Sequence, residues 1–229
     1  MRSLPSLRSL RDVARLHLQD LADVALSRAC LGCGREGSVL CLACKARLHQ
    51  APAVRERTPV AWFAGEYEGL LRDLVLAHKV QGVRALASDL GTLLARSVWA
   101  AGSSAHSIEL VPIPAHRLSL VKRGRDCLNE IADAAASDLR LRGRECTVES
   151  LLMWKRETAR HTGQSARARM DLGHALVART RGTAGKSVIV VDDVITTGAT
   201  VDEAVRALEA SGVRVTAIAC VASRSLRPR

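Results

Sequence analysis

The run from residue 188 to residue 200 combines a buried-strand pattern with side chains that can bind a sugar phosphate. It reads Val-Ile-Val-Val-Asp-Asp-Val-Ile-Thr-Thr-Gly-Ala-Thr. The β-branched residues Val188–Val191 favour a strand that is buried on both faces of a parallel sheet. Asp192 and Asp193 follow, and their carboxylates can accept hydrogen bonds from two neighbouring sugar hydroxyls. Residues 196–200 then lead into a helical pattern, so main-chain N–H groups and the helix dipole can hold a phosphate. The run therefore predicts a ribose 5-phosphate pocket.

A simpler interpretation is a buried strand, a turn and a capped helix, with two carboxylates that only stay solvated. Other phosphate motifs fit less well, because no Gly-Lys-Thr or Gly-Lys-Ser follows and the glycine spacing is not that of a dinucleotide fingerprint. The predicted ligand-binding residues of this run are Asp192, Asp193, Val194, Thr196, Thr197, Gly198, Ala199 and Thr200.

Four cysteines form a second group with chemical potential. Cys30 and Cys33 make one C-x-x-C pair, and Cys41 and Cys44 make another after seven intervening residues. Four thiolates at this spacing can complete a tetrahedral zinc shell, which would be structural because no ligand position is left open. Two disulfides or buried thiols are the alternatives, and disulfides fit poorly with the cytoplasmic location expected for this chain. His49 is the only plausible substitute ligand.

The elements that must position these residues alternate between strands and helices. Strands are predicted at 59–64, 108–114, 147–154, 188–191 and 213–221; helical periodicity is predicted at 67–100 with a break near Gly82, at 126–141, from the end of a charged loop at 155–164 to about Arg179, and at 200–211. This alternation predicts right-handed crossovers and a parallel sheet. The three remaining cysteines, Cys127, Cys146 and Cys220, are predicted to be packed thiols.

Basic residues follow the strand at 108–114. Arg117, Lys122 and Arg123 lie in a predicted loop after its carboxyl end, where doubly wound folds bind ligands. Lys79, close to Gly82, could also reach a phosphate, although an isolated lysine is more often a solvated surface charge.

Composition limits the partners. The 229 residues carry a net charge of +11, which favours a polyanionic partner, but only three Trp, one Tyr and one Phe are present, too few for a stacking platform. No long apolar run predicts a membrane span. Residues 7–29 have helical periodicity, and packing against the chain's own core is favoured over membrane contact because acidic residues interrupt the polar face.

The whole chain resembles the ComF family of competence-associated, phosphoribosyltransferase-like proteins. The resemblance rests on the paired C-x-x-C motifs, Lys79 with Gly82, Val-Pro-Ile-Pro at 111–114, Arg123-Gly124 and the 188–200 run. It implies an α/β, type I phosphoribosyltransferase-like, doubly wound parallel sheet with a small N-terminal zinc-binding segment of four cysteines. The implied division is an N-terminal helix and zinc segment at 1–50, a phosphoribosyltransferase-like domain at 51–222 and a basic disordered tail at 223–229. One departure is Arg-Gly-Arg-Asp-Cys at 123–127, where the family usually has Arg-Gly-Phe-Asn-Gln.

The resemblance implies Mg²⁺-dependent transfer of ribose 5-phosphate from PRPP with release of pyrophosphate. Asp192 and Asp193 would hold the ribose hydroxyls, and the pyrophosphate would be neutralised by Arg117, Lys122, Arg123 and Lys79. The 155–164 loop, with Arg156 and Arg160, would close over the site. Two alternatives stay open: a non-catalytic module that binds PRPP or a nucleotide, and a DNA-uptake factor that contacts single-stranded DNA or a translocation ATPase. The acceptor has no motif in the sequence.

Overall fold

The computed structural model describes residues 29–49, 51–102, 107–155, 175–179 and 185–224. The helix expected at 7–29 lies outside these ranges except for its last residue, as do Arg156 and Arg160 of the charged loop and residues 225–229 of the expected tail. None of the described helices combines the length and the apolar composition that crossing a membrane requires.

The described elements largely follow the predicted alternation of strands and helices, but two helices are consecutive at 117–141 and four strands are consecutive at 145–195. In chain order they are α1 (Leu42–Leu48), β1 (Ala53–Arg55), β2 (Ala61–Glu66), α2 (Gly69–Leu76) continued by a π-helical turn (Ala77–Gln81), α3 (Leu86–Ala101), β3 (Ser107–Pro112), α4 (Arg117–Arg123), α5 (Cys127–Leu141), β4 (Glu145–Val148), β5 (Leu152–Trp154), β6 (Leu176–Ala178), β7 (Ser187–Ile195), α6 (Ala199–Glu209) and β8 (Arg214–Ser223).

Six strands form the central sheet in the order β1-β2-β8-β7-β3-β4. β1 is antiparallel to β2, and every other neighbouring pair is parallel. The strand β7, which carries the two predicted carboxylates, therefore lies inside the sheet between β8 and β3. The carboxyl ends of the parallel strands meet at one edge, which is the edge where such sheets bind ligands.

Helices cover both faces of this sheet, which explains the continuous β-branched run in β7. Ile189 and Val191 belong to a core cluster with residues of α2, α3 and α5. Val188 and Val190 belong to a second cluster with residues of α6 and with β5 and β6. Successive side chains of a strand point to opposite faces, so a strand buried on both faces needs apolar residues throughout.

Three local predictions are wrong. The strand predicted at 147–154 is two strands, because the chain turns at Glu149 and Leu151, whose backbone groups hydrogen-bond each other at 3.0 Å. β4 stays in the central sheet, whereas β5 pairs with β6 in a separate antiparallel sheet. The helix predicted to reach Arg179 is a strand at 176–178, and the basic loop after β3 contains the short helix α4. β8 also extends through Ser223, one residue into the expected tail.

Helices α3 and α5 approach each other closely at Gly91. A Cβ atom built at this position would overlap the Cβ of Ala134. We expect Gly91→Ala to lower the free energy of unfolding by about 1–2 kcal/mol, because the overlap outweighs the better helix propensity of alanine. Urea denaturation measures this, with Ser88→Ala on the exposed face of the same helix as the control. A Gly91→Ala protein as stable as the wild type would show that the two helices separate without cost.

Candidate functional site

Asp192 and Asp193 lie in the last part of β7, at the ligand-binding edge of the sheet. The Nζ atom of Lys79, on the π-helical turn, lies 2.5 Å from Oδ2 of Asp193. Asp193 is 5% exposed, so it is buried although it lies at the ligand-binding edge of the sheet. Its own N–H donates a hydrogen bond of 2.8 Å to Oδ1 of Asp192. The structure thus joins three of the predicted ligand-binding residues.

The charges of this group are unequally balanced. Loss of solvent, and after it the neighbouring Asp193 carboxylate, raises the pKa of Asp192 well above its ordinary value. Burial opposes the charge of Lys79, but attraction to Asp193 and then Asp192 outweighs it and raises the pKa of Lys79. One lysine therefore serves two carboxylates. The excess of carboxylates over cations makes this edge favourable for hydroxyl donors and for a ligand that binds together with a metal cation.

The loop after β7 has the geometry of an anion site. Gly198 adopts φ 94° immediately before α6, a conformation that glycine reaches without steric cost. The Asp202 N–H bonds the Gly198 carbonyl at 2.8 Å, and the Ala199 N–H lies 3.4 Å from Oγ1 of Thr197. The first N–H groups of α6 thus lie beside the loop hydroxyls at the positive end of the helix dipole.

Two arginines, one at the end of edge strand β1 and one just after it, also lie against this loop and the start of α6, and no motif predicted them. Arg55, the last residue of β1, donates from Nη1 to the Thr196 carbonyl at 2.9 Å. Arg57 forms an ion pair with Asp202, and its Nη1 lies 2.7 Å from the position that a Cβ at Gly198 would take. These contacts arise from the folded arrangement of β1 and the 196–198 loop. The local sequence around 55–57 contains no signal for them.

A cavity of about 340 Å³ adjoins the carboxylates. Its lining residues are Lys79, Ile113, Pro114, Ala115, His116, Ser119, Arg123, Cys127, Leu128, Trp154, Asp192, Asp193, Val194 and Thr200. One wall is braced by Trp154, whose Nε1 donates to the Pro114 carbonyl at 2.8 Å and whose ring meets His116 edge-on at 5.7 Å between centroids. The cavity therefore has a charged side at the end of β7 and an aromatic side near β5.

The basic residues predicted to lie in one loop after β3 do not all face the cavity. Arg123 lines the cavity, whereas Arg117 and Lys122 are exposed and are not among its lining residues. Because 117–123 is helical, neighbouring residues point in directions about 100° apart, so a run of basic residues cannot all face one side. The sequence prediction, which assumed a flexible loop, grouped all three.

The cysteine cluster forms in the N-terminal part of the described chain, between residues 30 and 44. The Sγ atoms of Cys30, Cys33, Cys41 and Cys44 all lie within 4.8 Å of one another, and those of Cys33 and Cys41 are 3.7 Å apart. Tetrahedral zinc with Zn–S bonds of about 2.3 Å places its sulfurs about 3.8 Å apart. The donor set and its spacing therefore fit a metal such as zinc. His49, the alternative ligand, does not belong to this group.

The electrostatics of the cluster also suit a cation. The backbone N–H of Cys41 donates to Cys30 Sγ at 3.3 Å, and such main-chain bonds lower the pKa of Cys30 to about 6. Burial, and then the other thiols, raises the pKa of Cys44 to about 12. Crowded thiolates repel one another unless a cation neutralises them. The other cysteines, Cys127, Cys146 and Cys220, are buried free thiols, which confirms their predicted packing role.

The C-terminal part of the chain matches a known protein family. Residues 130–228 match the family model of the phosphoribosyl transferase domain. This match, together with the parallel-dominated sheet flanked by helices on both faces, confirms the predicted fold class, an α/β type I phosphoribosyltransferase fold. Among curated proteins, none matches the sequence.

Solved structures of phosphoribosyltransferases are similar at low identity. A crystal structure of adenine phosphoribosyltransferase is 14% identical, with 78% of this chain and 88% of that chain covered and a TM-score of 0.38. The enzyme from Leishmania tarentolae is 16% identical over 72% and 79% of the two chains, with a TM-score of 0.39. The glutamine PRPP amidotransferase from B. subtilis is 23% identical over 58% and 26%, with a TM-score of 0.37. The chain spans about a quarter of the length of the first structures matched.

Proposed function

We propose that this protein binds PRPP and transfers its ribose 5-phosphate group to an acceptor with release of pyrophosphate. The observation that carries the proposal is the pairing of two features at the end of β7. The Asp192–Asp193 pair, with Lys79 against it, borders a cavity, and the glycine loop into α6 follows within a few residues. A diol-binding end and a phosphate-binding end at this spacing match the two ends of a ribose 5-phosphate.

Each end has a distinct task. The carboxylates of Asp192 and Asp193 accept hydrogen bonds from the 2- and 3-hydroxyls, which fixes the ribose ring and stabilises the positive charge that develops on it. The N–H groups and hydroxyls of residues 196–200 hold the 5-phosphate, with Arg55 and Arg57 stiffening the loop from outside. Burial, and after it the Asp193 carboxylate, raises the pKa of Asp192, which suits this residue to take a proton from the acceptor.

The leaving group needs positive charge. Lys79 and Arg123 face the cavity and can neutralise the pyrophosphate as its bond to C1 breaks. Mg²⁺, bound together with PRPP, would supply further charge neutralisation, and Asp192 and Asp193 are the residues that would hold it. The two adjacent carboxylates, with a single lysine against them, are the feature of this chain that fits such a cation.

We assign the cysteine cluster as a structural zinc site. Its four sulfurs fill a tetrahedral shell and leave no position for substrate, and Cys30 and Cys44 are packed into the main core. A zinc site of four thiolates needs reduced cysteines, so we also propose a reducing, cytoplasmic location for this chain.

A non-catalytic PRPP-binding module is the second candidate. It is favoured by the exposure of Arg117 and Lys122, which leaves fewer cations at the cavity than the family resemblance implies. The diol and phosphate contacts would serve such a module equally well. Turnover is what distinguishes it from the enzyme.

A role in DNA uptake is the third candidate, and the surface of α4 favours it. Arg117 and Lys122 are exposed there together with Leu118 and Val121, which are 73% and 77% exposed. A basic and apolar surface of this kind could contact single-stranded DNA or a translocation ATPase. Binding there is compatible with either activity at the cavity.

The deciding experiment mixes the protein with PRPP, Mg²⁺ and a panel of acceptors that includes nucleobases, ammonia and other amines. Acceptor-dependent release of pyrophosphate supports the enzyme. Binding of PRPP by calorimetry without pyrophosphate release supports the module. A protein that binds neither PRPP nor ribose 5-phosphate would refute the proposed function.

Adjacent residues on α4 offer a matched pair for the leaving-group role. We expect Arg123→Ala to lower turnover by about thirty- to a thousandfold, equivalent to roughly 2–4 kcal/mol, because it removes a charge-assisted contact to the departing pyrophosphate. Lys122→Ala, which changes the net charge equally but faces solvent, should leave turnover within about twofold. Initial-rate kinetics measure both variants. Equal losses would contradict the assignment of Arg123.

The same pair tests the DNA role. If α4 binds single-stranded DNA through its exposed face, Lys122→Ala should weaken binding and reduce the salt slope by about one, since one phosphate contact is lost. Fluorescence anisotropy at several salt concentrations measures this. An unchanged slope would place any DNA contact elsewhere.

A further inference from the structure

Arg125, His78 and Glu130 form a largely buried polar network near the cavity, and none of the three is among the residues that line the cavity. Arg125, just before α5, has a side chain that is 7% exposed. Its Nη2 lies 2.7 Å from Oε2 of Glu130 and within 3.0 Å of both ring nitrogens of His78, and its Nη1 donates to the Gly82 carbonyl at 3.1 Å. His78 itself lies 3.2 Å from the Val83 carbonyl and 3.3 Å from the Cys127 carbonyl.

Protonation of His78 is disfavoured within this network. Burial, and after it the charge of Arg125, lowers the pKa of His78. A neutral imidazole donates one N–H to a carbonyl and accepts from Arg125 through its other nitrogen. Arg125 is then balanced by the Glu130 carboxylate, and the network connects the π-helical turn to the start of α5.

Stability does not explain this arrangement. Replacing a buried ion pair with apolar residues is often neutral or stabilising, because desolvation offsets the attraction between the charges. Arg125 Nε is also buried without a hydrogen-bond partner among the described residues, which adds a further cost. Apolar residues in place of the whole network would avoid these costs, so we infer that the network has a role in positioning the segments that it connects.

The network joins the two backbone segments that carry the cavity's cations. Lys79 lies on the π-helical turn that ends at Gly82, and the Gly82 carbonyl is the acceptor for Arg125. Arg123 lies two residues before Arg125, across Gly124 at φ 69°. A single guanidinium therefore connects the turn that carries Lys79 to the segment that follows Arg123 at the end of α4.

We propose that Arg125, held by His78 and Glu130, is a positioning residue that fixes Lys79 and Arg123 relative to each other so that both contact the pyrophosphate end of the ligand. The proposal rests on the proposed function for its ligand. Its structural part, that Arg125 holds Lys79 against Asp193, is independent of any ligand. Arg125 does not contact the reacting atoms.

The structural part is tested by NMR of the protein with ¹³C-methylated lysines, of which the chain has five. Lys79→Arg identifies the Lys79 resonance by removing it. In Arg125→Met we expect this resonance to move toward the position of exposed Lys122, because the turn no longer holds Lys79 at Asp193. Glu130→Gln and Arg125→Lys should move it partway, and they stand in for Arg125→Met if that variant does not fold. The exposed control, Arg72→Met on α2, should not move it. A Lys79 resonance unchanged in all three network variants would overturn the proposal.

The functional part is tested by calorimetry with two ligands, PRPP and ribose 5-phosphate. We expect Arg125→Met to weaken PRPP binding by about tenfold and to leave ribose 5-phosphate binding within about twofold, since only PRPP carries the pyrophosphate. An equal loss of both ligands would indicate general disruption and would overturn the positioning role. If the wild-type protein binds neither ligand, the proposed function fails, and the lysine spectra alone decide whether Arg125 positions Lys79.

Discussion

Replacing both carboxylates, as Asp192→Asn with Asp193→Asn, is expected to lower PRPP affinity by at least about a hundredfold. Two charge-assisted hydrogen bonds to the ribose hydroxyls become neutral ones, and each charged bond contributes roughly 1.5–3 kcal/mol. The loss should be as large for ribose 5-phosphate, because both ligands carry the same diol. Isothermal titration calorimetry measures both affinities. Asp133→Asn, on the exposed side of α5, is the control and should bind as the wild type does.

The single change Asp192→Asn should make the ligand-free protein more stable at neutral pH. The pKa of Asp192 is higher in the folded protein than in the unfolded chain, so its ionisation at neutral pH favours the unfolded state. The amide removes this cost and can still accept the hydrogen bond from the Asp193 N–H. We therefore expect a higher melting temperature for the ligand-free variant at pH 7, and a smaller difference from the wild type as the pH falls and Asp192 becomes protonated. A variant that melts below the wild type at pH 7 and binds PRPP normally would contradict the site assignment on both counts.

Cys33→Ser is expected to have the largest effect on folding. Cys33 is exposed, so the substitution removes one ligand sulfur while it preserves the packing of the core. Purified wild-type protein should contain about one zinc ion per chain, and the variant should lose it. Since Cys30, Leu40 and Cys44 belong to the same core cluster as α2 and α3, loss of the metal should loosen those helices as well as the segment at 29–49.

Metal analysis and thermal denaturation under reducing conditions check this expectation. Cys146→Ser, which removes a buried cysteine outside the cluster, should leave the zinc content unchanged even if it lowers the melting temperature. A wild-type protein without zinc would refute the assignment. A Cys33→Ser protein that loses zinc but melts at the wild-type temperature would show that the metal does not stabilise the fold.

The sequence was most informative where the chemistry is local. Val188–Val191 predicted a strand buried on both faces, and β7 confirms it, because a helix-covered sheet leaves no polar face. The glycine loop and the start of α6 follow from the same short run. The four cysteines were also predicted to meet, and their ligand atoms do lie within 4.8 Å of one another.

Contacts that depend on the arrangement of the whole sheet could not be predicted in this way. Arg55 reaches Thr196 from β1, and no pattern near residue 55 indicates that neighbour. The burial of Asp193 likewise depends on the π-helical turn that places Lys79 against it. β5 and β6 are too short for periodicity to separate strand from helix, and each has its partner about twenty residues away in the chain.

The strand order has a practical consequence for producing this protein in pieces. The matched stretch at 130–228 contains β7 and β8, but their outer neighbours β3 and β2 both precede it in the chain. A fragment expressed from residue 130 would expose two unpaired strand edges and leave β4 without its partner, so it should aggregate. It would also lack Lys79 and Arg123, and therefore both cavity cations. Expression boundaries taken from the domain match would thus remove half of the sheet, and a fragment with the complete sheet must include everything from β1 to β8, residues 53–223.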